Sequence, residues 1–203
     1  DMAFEAWQSD IAHDKHSLLL APTHDLVSEL NDRARLHRLT ELGEHAPPLE
    51  AVLMAGARAS VGDLVFTKHN DRSLALGATD FVRNGYRWEV TDVDPEGSIT
   101  VKHLESGAHL NLPADYVRAH VTLGYARTID VTQGATARYR CHTVGSDQLT
   151  RQQVYTALTR GVYGNHIYFS TAEHDPHRVL SPKATHPDTA VDVLTRALGR
   201  DAA

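Results

Sequence analysis

The sequence is poor in the features that staple a chain or bury it in lipid. A single cysteine, Cys141, excludes an internal disulfide framework and a four-cysteine zinc site. No plain apolar run, Leu18–Ala21 included, approaches the ~18 residues a membrane span needs. The first residues show no charged start leading into an apolar stretch, so no secretory leader is expected, and a reducing cytoplasmic setting is the default. Surplus positive charge is missing too. The net charge is −6, whereas a protein that grips many phosphates is usually basic because its affinity comes from counterion release. The charge is uneven: residues 1–56 carry −6, 57–122 carry −2 and 123–203 carry +2. Any contact with nucleic acid is therefore expected to be local.

Several motifs that announce a complete active site are absent. There is no Gly-x-x-x-x-Gly-Lys-Ser/Thr loop, no Gly-x-Gly-x-x-Gly and no His-Glu-x-x-His. Gly145-Ser146-Asp147 lacks the second glycine of a nucleophile elbow. What remains is an ordinary globular chain of 203 residues, 41% hydrophobic and 23% charged, which argues against disorder and allows one medium or two small domains.

The period of the apolar pattern changes twice. Ser17–Ala21 is a continuous apolar run of the kind found in a strand buried on both faces. Thr23 follows as an N-cap for a helix carrying Leu26, Val27, Leu30 and Ala34 on one face. Gly43 and Pro47-Pro48 end that unit. From Val61 the period becomes two, through Val61–Thr67, Arg87–Val93, Ser98–Leu104, Leu110–Leu112 and Val117–Leu123. Asn84-Gly85, Asp94-Pro95-Glu96-Gly97 and Ser106-Gly107 supply turns at hairpin spacing. These short strands predict a small antiparallel barrel. After Tyr125 the α/β pattern returns: a strand at Arg138–Val144, a helix opened by the capping box Thr150-x-x-Gln153 and stopped at Gly161, and a strand at His166–Ser170. A last helix is expected behind Asp188, with Val191, Leu194 and Leu198 inward.

Fourteen histidines invite a metal reading, and His13-x-x-His16 and His174-x-x-His177 form two close pairs. Neither pair has an evident third ligand, so no metal site is assigned. Thr132-Gln133-Gly134-Ala135-Thr136 is a polar turn whose N–H groups and hydroxyls can meet a phosphate. Arg160 stands at the end of the helix opened by Thr150, where a guanidinium can either cap its own carbonyls or project to a phosphate. Phe81, Tyr86 and Trp88 offer rings for stacking on the barrel, but the alternation places Trp88 in the core.

Two segments resemble helicase motifs. Gly124-Tyr125-Ala126-Arg127-Thr128-Ile129-Asp130-Val131-Thr132-Gln133-Gly134-Ala135-Thr136 is similar to motif V of superfamily 1 DNA helicases of the RecD/TraI type. Val154-Tyr155-Thr156-Ala157-Leu158-Thr159-Arg160-Gly161, followed by Asn165-His166-Ile167-Tyr168, is similar to motif VI and the strand after it. Ser17–Ala34, with Ala21-Pro22-Thr23 and Leu30-Asn31-x-Arg33-Ala34-Arg35, resembles the motif IV region. Gly62-Asp63-x-Val65, Asn70-Asp71-Arg72, Asn84-Gly85-x-x-Trp88 and Leu112-Pro113-Ala114-Asp115-Tyr116-Val117 resemble the SH3-like barrel inserted in such domains. The match looks nearest to the helicase part of MobF-type conjugative relaxases (TraI/TrwC/TraA-like) and runs to about Ser170.

The resemblance implies a RecA-like, P-loop NTPase-type α/β domain interrupted by the barrel. Its limits would be 1–56 and 123–180 for the two halves of the second RecA-like domain, 57–122 for the barrel, and 181–203 for a linker and C-terminal helix. Arg160 would be the arginine finger. Gln133, Gly134 and Thr136 would couple single-stranded DNA to the nucleotide cleft, and Thr23, Asn31 and Arg127 would lie on the DNA side. ATP and Mg2+ would be bound mainly by an upstream RecA-like domain of the same polypeptide, so this fragment of an ATP hydrolase is expected to be inactive in isolation. Relatives usually carry a histidine and often a basic residue before the motif V glutamine. Asp130 and Val131 stand there instead, and an aspartate repels a phosphodiester. Two alternatives go with this reading: a RecD-like relative of the exonuclease V α-subunit in DNA repair, and a stand-alone, non-catalytic module that binds a partner through the barrel.

Overall fold

The computed structural model describes residues 2–13, 15–77, 80–132, 137–169 and 189–200. The chain opens with α1 (Met2–Ala12), β1 (Leu18–Ala21) and α2 (His24–Leu42), followed by β2 (Ala51–Val52), β3 (Arg58–Ala59) and β4 (Leu64–Thr67). Next come β5 (Asp71–Ala75), β6 (Phe81–Val82), β7 (Arg87–Val93), β8 (Ile99–His103), β9 (His109–Leu112), α3 (Ala114–His120) and β10 (Val121–Leu123). The remainder is β11 (Ala126–Thr128), β12 (Arg140–Val144), α4 (Arg151–Ala157), β13 (Gly164–Tyr168) and α5 (Ala190–Leu198). Two compact units result, Asp1–Val27 with Arg127–Ala203, and Ser28–Ala126. The expected fold class is present: an α/β unit with a parallel sheet, and a unit built on an antiparallel sheet.

The first unit holds a sheet in the order β11-β1-β12-β13. β1 and β13 both run parallel to β12, with Leu19 opposite His142 and Thr143 opposite Ile167. All four residues of β1 are buried, as its uninterrupted apolar run requires. One core cluster joins Leu18, Leu20, Ile129, Cys141, Leu149, Val154 and Ala197, with Ile167, Phe169 and Leu194 packed against it. Thr150 caps α4 as expected: its hydroxyl accepts the Gln153 N–H and the Gln153 side chain accepts the Thr150 N–H, each at 3.2 Å. α1 stands outside the elements expected above. Its signal is the spacing of Ala3, Phe4, Trp7 and Asp10, the face it buries against β1, β12 and β13.

α5 departs from expectation in its cap and its face. Thr189, not Asp188, is the N-cap, closing a box with Asp192, while Asp188 lies outside the described residues. This start turns Val193 and Ala197 inward and leaves Val191 69% exposed.

The second unit holds the antiparallel sheet β10-β4-β7-β8-β9, with β2-β3 and β5-β6 as two-stranded ladders. Trp88 is fully buried and its indole N–H reaches the Thr67 hydroxyl at 3.3 Å. The inward residues Trp88, Val90 and Val93 break the period of two because the register with β8 shifts between Val90 and Asp92. The strand expected over Val117–Leu123 is confined to Val121–Leu123. Pro113 ends β9 and occupies the N-cap of α3, its carbonyl accepting the Val117 N–H at 2.9 Å, so Val117 falls on a helix. Gly124 leads out of β10 against β4. A Cβ there would sit 2.8 Å from the Val65 carbonyl carbon, so only glycine fits this approach.

Asp63 ties the helical and sheet parts of this unit together. Its side chain is wholly buried and accepts the Ser60 N–H at 2.7 Å, Arg35 Nε at 3.0 Å, Arg38 Nη2 at 2.8 Å and the Tyr125 hydroxyl at 2.5 Å. Glu50 closes the far side of Arg35 and also pairs with Arg58. Burial pulls the Arg35 pKa down, but the Glu50 and Asp63 carboxylates outweigh it and hold it above the ordinary value.

Candidate functional site

Arg160 sits two residues beyond the C-cap of α4 and is half-buried. Its guanidinium folds back on carbonyls: Nε donates to Thr156 O at 3.2 Å and Nη1 to Thr132 O at 3.3 Å, while Nη2 meets the Thr159 hydroxyl at 2.8 Å. A cation here complements the negative end of the helix. Its main chain works in the other direction, the Arg160 carbonyl accepting the Ala137 N–H at 2.7 Å. The same residue therefore holds Thr132 with its side chain and Ala137 with its backbone, the two flanks of segment 133–136. Gln133, Gly134 and Thr136 themselves lie outside the described residues.

The backbone beneath Arg160 is fixed by two residues whose role the spacing alone did not disclose. A Cβ at Gly161 would lie 2.2 Å from Gly164 O and 2.8 Å from Cys141 N, so the position accepts only glycine. Asn165 then brackets the Gly161 residue, its Oδ1 accepting the Gly161 N–H at 2.6 Å and its Nδ2 donating to Gly161 O at 3.0 Å. Asp130, the acidic departure before the motif V glutamine, is taken up locally: Gln153 Nε2 donates to both its oxygens at 3.3 Å. Cys141 is inaccessible, and burial pushes its thiol up to about 11, which rules it out as a nucleophile at neutral pH.

The three residues expected on the DNA side divide between the two units. Thr23 is exposed and serves as the α2 N-cap, its hydroxyl accepting the Leu26 N–H at 3.3 Å. Asn31 belongs to the other unit and is buried. Its amide spans the Ala126 backbone, Oδ1 accepting the N–H at 2.8 Å and Nδ2 donating to the carbonyl at 3.4 Å. Arg127 is only 7% exposed. Asn31 thus engages its amide with the Ala126 backbone, and Arg127 is buried in β11. On the barrel, Trp88 is core and Tyr86 donates its hydroxyl to Asp80 at 2.9 Å, whereas Phe81 carries the Arg72 and Arg83 guanidiniums at 5.5 and 5.0 Å.

A second polar group was not foreseen. Asp10 on α1 accepts the Ser17 hydroxyl at 2.6 Å, His142 Nε2 at 2.8 Å and Arg140 Nη1 at 3.2 Å, and His142 Nδ1 meets the Tyr168 hydroxyl at 2.9 Å. Burial lowers the His142 pKa more than the Asp10 carboxylate raises it, so the ring is neutral near pH 7. Its single proton lies on Nε2 toward Asp10, and Nδ1 accepts from Tyr168. Burial opposes the Asp10 charge, but hydrogen bonds from His142 and Ser17 outweigh it and keep its pKa below the ordinary value. An imidazole lowered in the folded state contributes stability that is complete above its unfolded pKa near 6.5 and is lost as pH falls below it. Asp10 adds a further loss below about 3.8. The melting temperature is expected to fall between pH 7.5 and 5.5, and the fall should be smaller in His142→Gln. Parallel pH profiles for the two proteins would contradict the assignment. His103, also lowered by burial, contributes in the same direction to both.

Among the described residues, no three His, Cys, Asp or Glu side chains gather as a ligand set, and no helix is long and apolar enough to cross a membrane. His13 Nδ1 pairs with the Ser9 carbonyl at 2.7 Å, while His174 and His177 lie outside the described residues.

Comparison with known proteins assigns the chain to a family. Residues 52–122 match the Rv2311 SH3-like barrel domain. The uncharacterised protein Rv2311 of Mycobacterium tuberculosis strain H37Rv is 37% identical over 124 residues, which cover 61% of this chain and 68% of that protein. MT2373 of Mycobacterium tuberculosis strain CDC 1551 matches to the same extent. Among solved structures, Bacteroides Pif1 bound to single-stranded DNA is 18% identical with a TM-score of 0.49, covering 75% of this chain and 40% of that one. Pif1 helicase from Candida albicans is 16% identical with a TM-score of 0.49, covering 85% of this chain and 53% of that one. The chain thus spans about two fifths to half the length of these helicases. On the strength of its likeness to Rv2311 along more than two thirds of that protein, the chain belongs to the Rv2311 family, with the SH3-like barrel at residues 52–122.

Proposed function

We propose that this chain is the C-terminal part of an ATP-dependent superfamily 1 DNA helicase, of the MobF conjugative relaxase-helicase type. The observation that carries the reading is the position of Arg160: one residue reaches both flanks of segment 133–136 while lying just past the C-terminal end of a capped helix. A guanidinium in that place links a phosphate-sensing position to a polar glycine turn. Arg160 would stabilise charge on the transferred γ-phosphoryl group, and Gln133, Gly134 and Thr136 would pass the change to single-stranded DNA. In this reading 1–56 and 123–180 form the second RecA-like domain and 57–122 its inserted barrel.

ATP and Mg2+ would bind mainly to an upstream domain of the same polypeptide, since this chain lacks the lysine-bearing phosphate loop. Mg2+ would neutralise phosphate charge there, and no residue of this chain is assigned to it. This chain would supply the finger and the segment 133–136 it flanks, with the Gly161–Asn165 contacts bracing the backbone beside Arg160. A RecD-like repair role differs from this only in what lies upstream. The test is Arg160→Ala in a polypeptide carrying both domains, read as ATP turnover.

One observation favours a second reading. The 124 matched residues are 68% of Rv2311, which makes that relative about 180 residues long, too short for two RecA-like domains and a barrel. A stand-alone module that binds a partner through the barrel fits such a length. Capture of a partner that depends on the barrel and is indifferent to Arg160→Ala would select this reading.

A further inference from the structure

We infer that Tyr163, backed by Tyr139, Lys15 and Arg140, is a stacking subsite for a nucleobase that carries its phosphate. The parallel sheet assembles it. Lys15 precedes β1, Tyr139 and Arg140 stand at the start of β12, and Tyr163 immediately precedes β13, so three neighbouring parallel strands deliver these residues to one sheet end. The Arg140 guanidinium lies 4.6 Å from the Tyr139 ring centroid and Lys15 Nζ lies 5.4 Å from it. The Tyr139 and Tyr163 rings are 5.5 Å apart and tilted by 47°. The Tyr163 N–H donates to the Tyr139 carbonyl at 2.9 Å, so the exposed ring rides on fixed backbone.

Two features point to this ligand class. Tyr139 is engaged by two cations, whereas Tyr163 is 74% exposed and offers its ring to solvent beside them. A ring that is costly to leave in water, next to cations, suits a planar base followed by a phosphate, because every base has a π-face and every nucleotide a negative charge. The location also resolves the charge puzzle. The chain is −6 overall, but Lys15 and Arg140 meet at Tyr139, and the nearby Asp10, buried against Ser17 and His142, accepts Arg140 Nη1 at 3.2 Å and so shares that cation. The subsite stands on this geometry and does not require Arg160 to be a finger.

The experiment uses the 203-residue chain at low salt, titrated with a fluorescent oligothymidylate and, separately, with a ribose-labelled ATP analogue. Tyr163→Ala is expected to weaken binding about tenfold and Tyr163→Phe to retain it, since stacking needs the ring and not the hydroxyl. Lys15→Gln should reduce the slope of log affinity against log salt by about 0.7 for the oligonucleotide. A loss confined to the oligonucleotide identifies a strand as the source of the base, and a loss in both arms identifies any nucleotide. The inference is overturned if Tyr163→Ala binds both ligands like wild type, if Tyr163→Phe loses as much as Tyr163→Ala, or if neither ligand binds. Unchanged melting temperatures of the variants separate these outcomes from unfolding.

Discussion

Arg160→Ala, placed in a polypeptide that carries both halves of the proposed ATPase, is expected to slow turnover by roughly 10³–10⁵ with little change in KM for ATP. In the structure the guanidinium's contacts include neutral acceptors, the carbonyls of Thr156 and Thr132 and the Thr159 hydroxyl. Each such bond contributes about 0.5–1.5 kcal/mol net, a holding energy that developing phosphoryl charge can exceed. Losing an interaction made only as that charge develops lowers kcat rather than ground-state affinity. Arg160→Lys keeps the charge and loses the planar fork, so it should recover part of the rate. Arg160→Ala removes these three bonds as well as a helix-end interaction of about 0.3–1 kcal/mol, so melting temperatures measured beside turnover separate lost folding from lost chemistry. A fall in turnover of less than tenfold would remove Arg160 from the chemistry.

The largest expected effect on stability lies at Asp63. Asp63→Ala strips the acceptor from two guanidiniums, the Ser60 N–H and the Tyr125 hydroxyl at once. Breaking a buried ion pair by deleting one partner costs about 3–5 kcal/mol. Arg35 and Arg38 retain 15% and 20% side-chain exposure, so water offsets part of the loss and about 3 kcal/mol is expected. For a chain of this size that amounts to a drop of roughly 6–12 °C in melting temperature. Asp63→Asn keeps the shape and should cost less. Burial, followed by the Asp63 charge, drives the Tyr125 pKa well above the ordinary phenol value, so its proton stays in the hydrogen bond throughout the working pH range. Thermal unfolding of Asp63→Ala within about 1 kcal/mol of wild type would show that the cluster is not what joins α2 to the sheet of its unit.

What was legible in the sequence is what depends on neighbours along the chain. The uninterrupted run at β1, the Thr150–Gln153 box and the alternation through Trp88 each declare themselves within a few residues. α3 misleads because Val117, Val121 and Leu123 alternate like a strand, while the deciding residue, Pro113, lies ahead of them. The roles of Asn31 and Asp63 depend on partners 95 and 62 residues away, which no local spacing encodes. The polar group around Asp10 is hidden for the same reason, since His142 is 132 residues distant. Arg160 was open to two readings as a cation at a helix end, and the structure shows its capping contacts. Gly161 and Asn165 stood in plain view in the sequence, but their fit under Arg160 appears only once β12 and β13 are paired.

The central claim is that this chain supplies the finger and the turn but not the nucleotide-binding loop of a strand-driven ATPase. Steady-state ATP hydrolysis by the purified chain, with and without oligothymidylate, tests it most directly beside a polypeptide that also carries the upstream domain. The account predicts no turnover by the chain alone under either condition, and strand-stimulated turnover by the longer polypeptide. Hydrolysis by the chain alone that persists through purification and responds to the strand would contradict it.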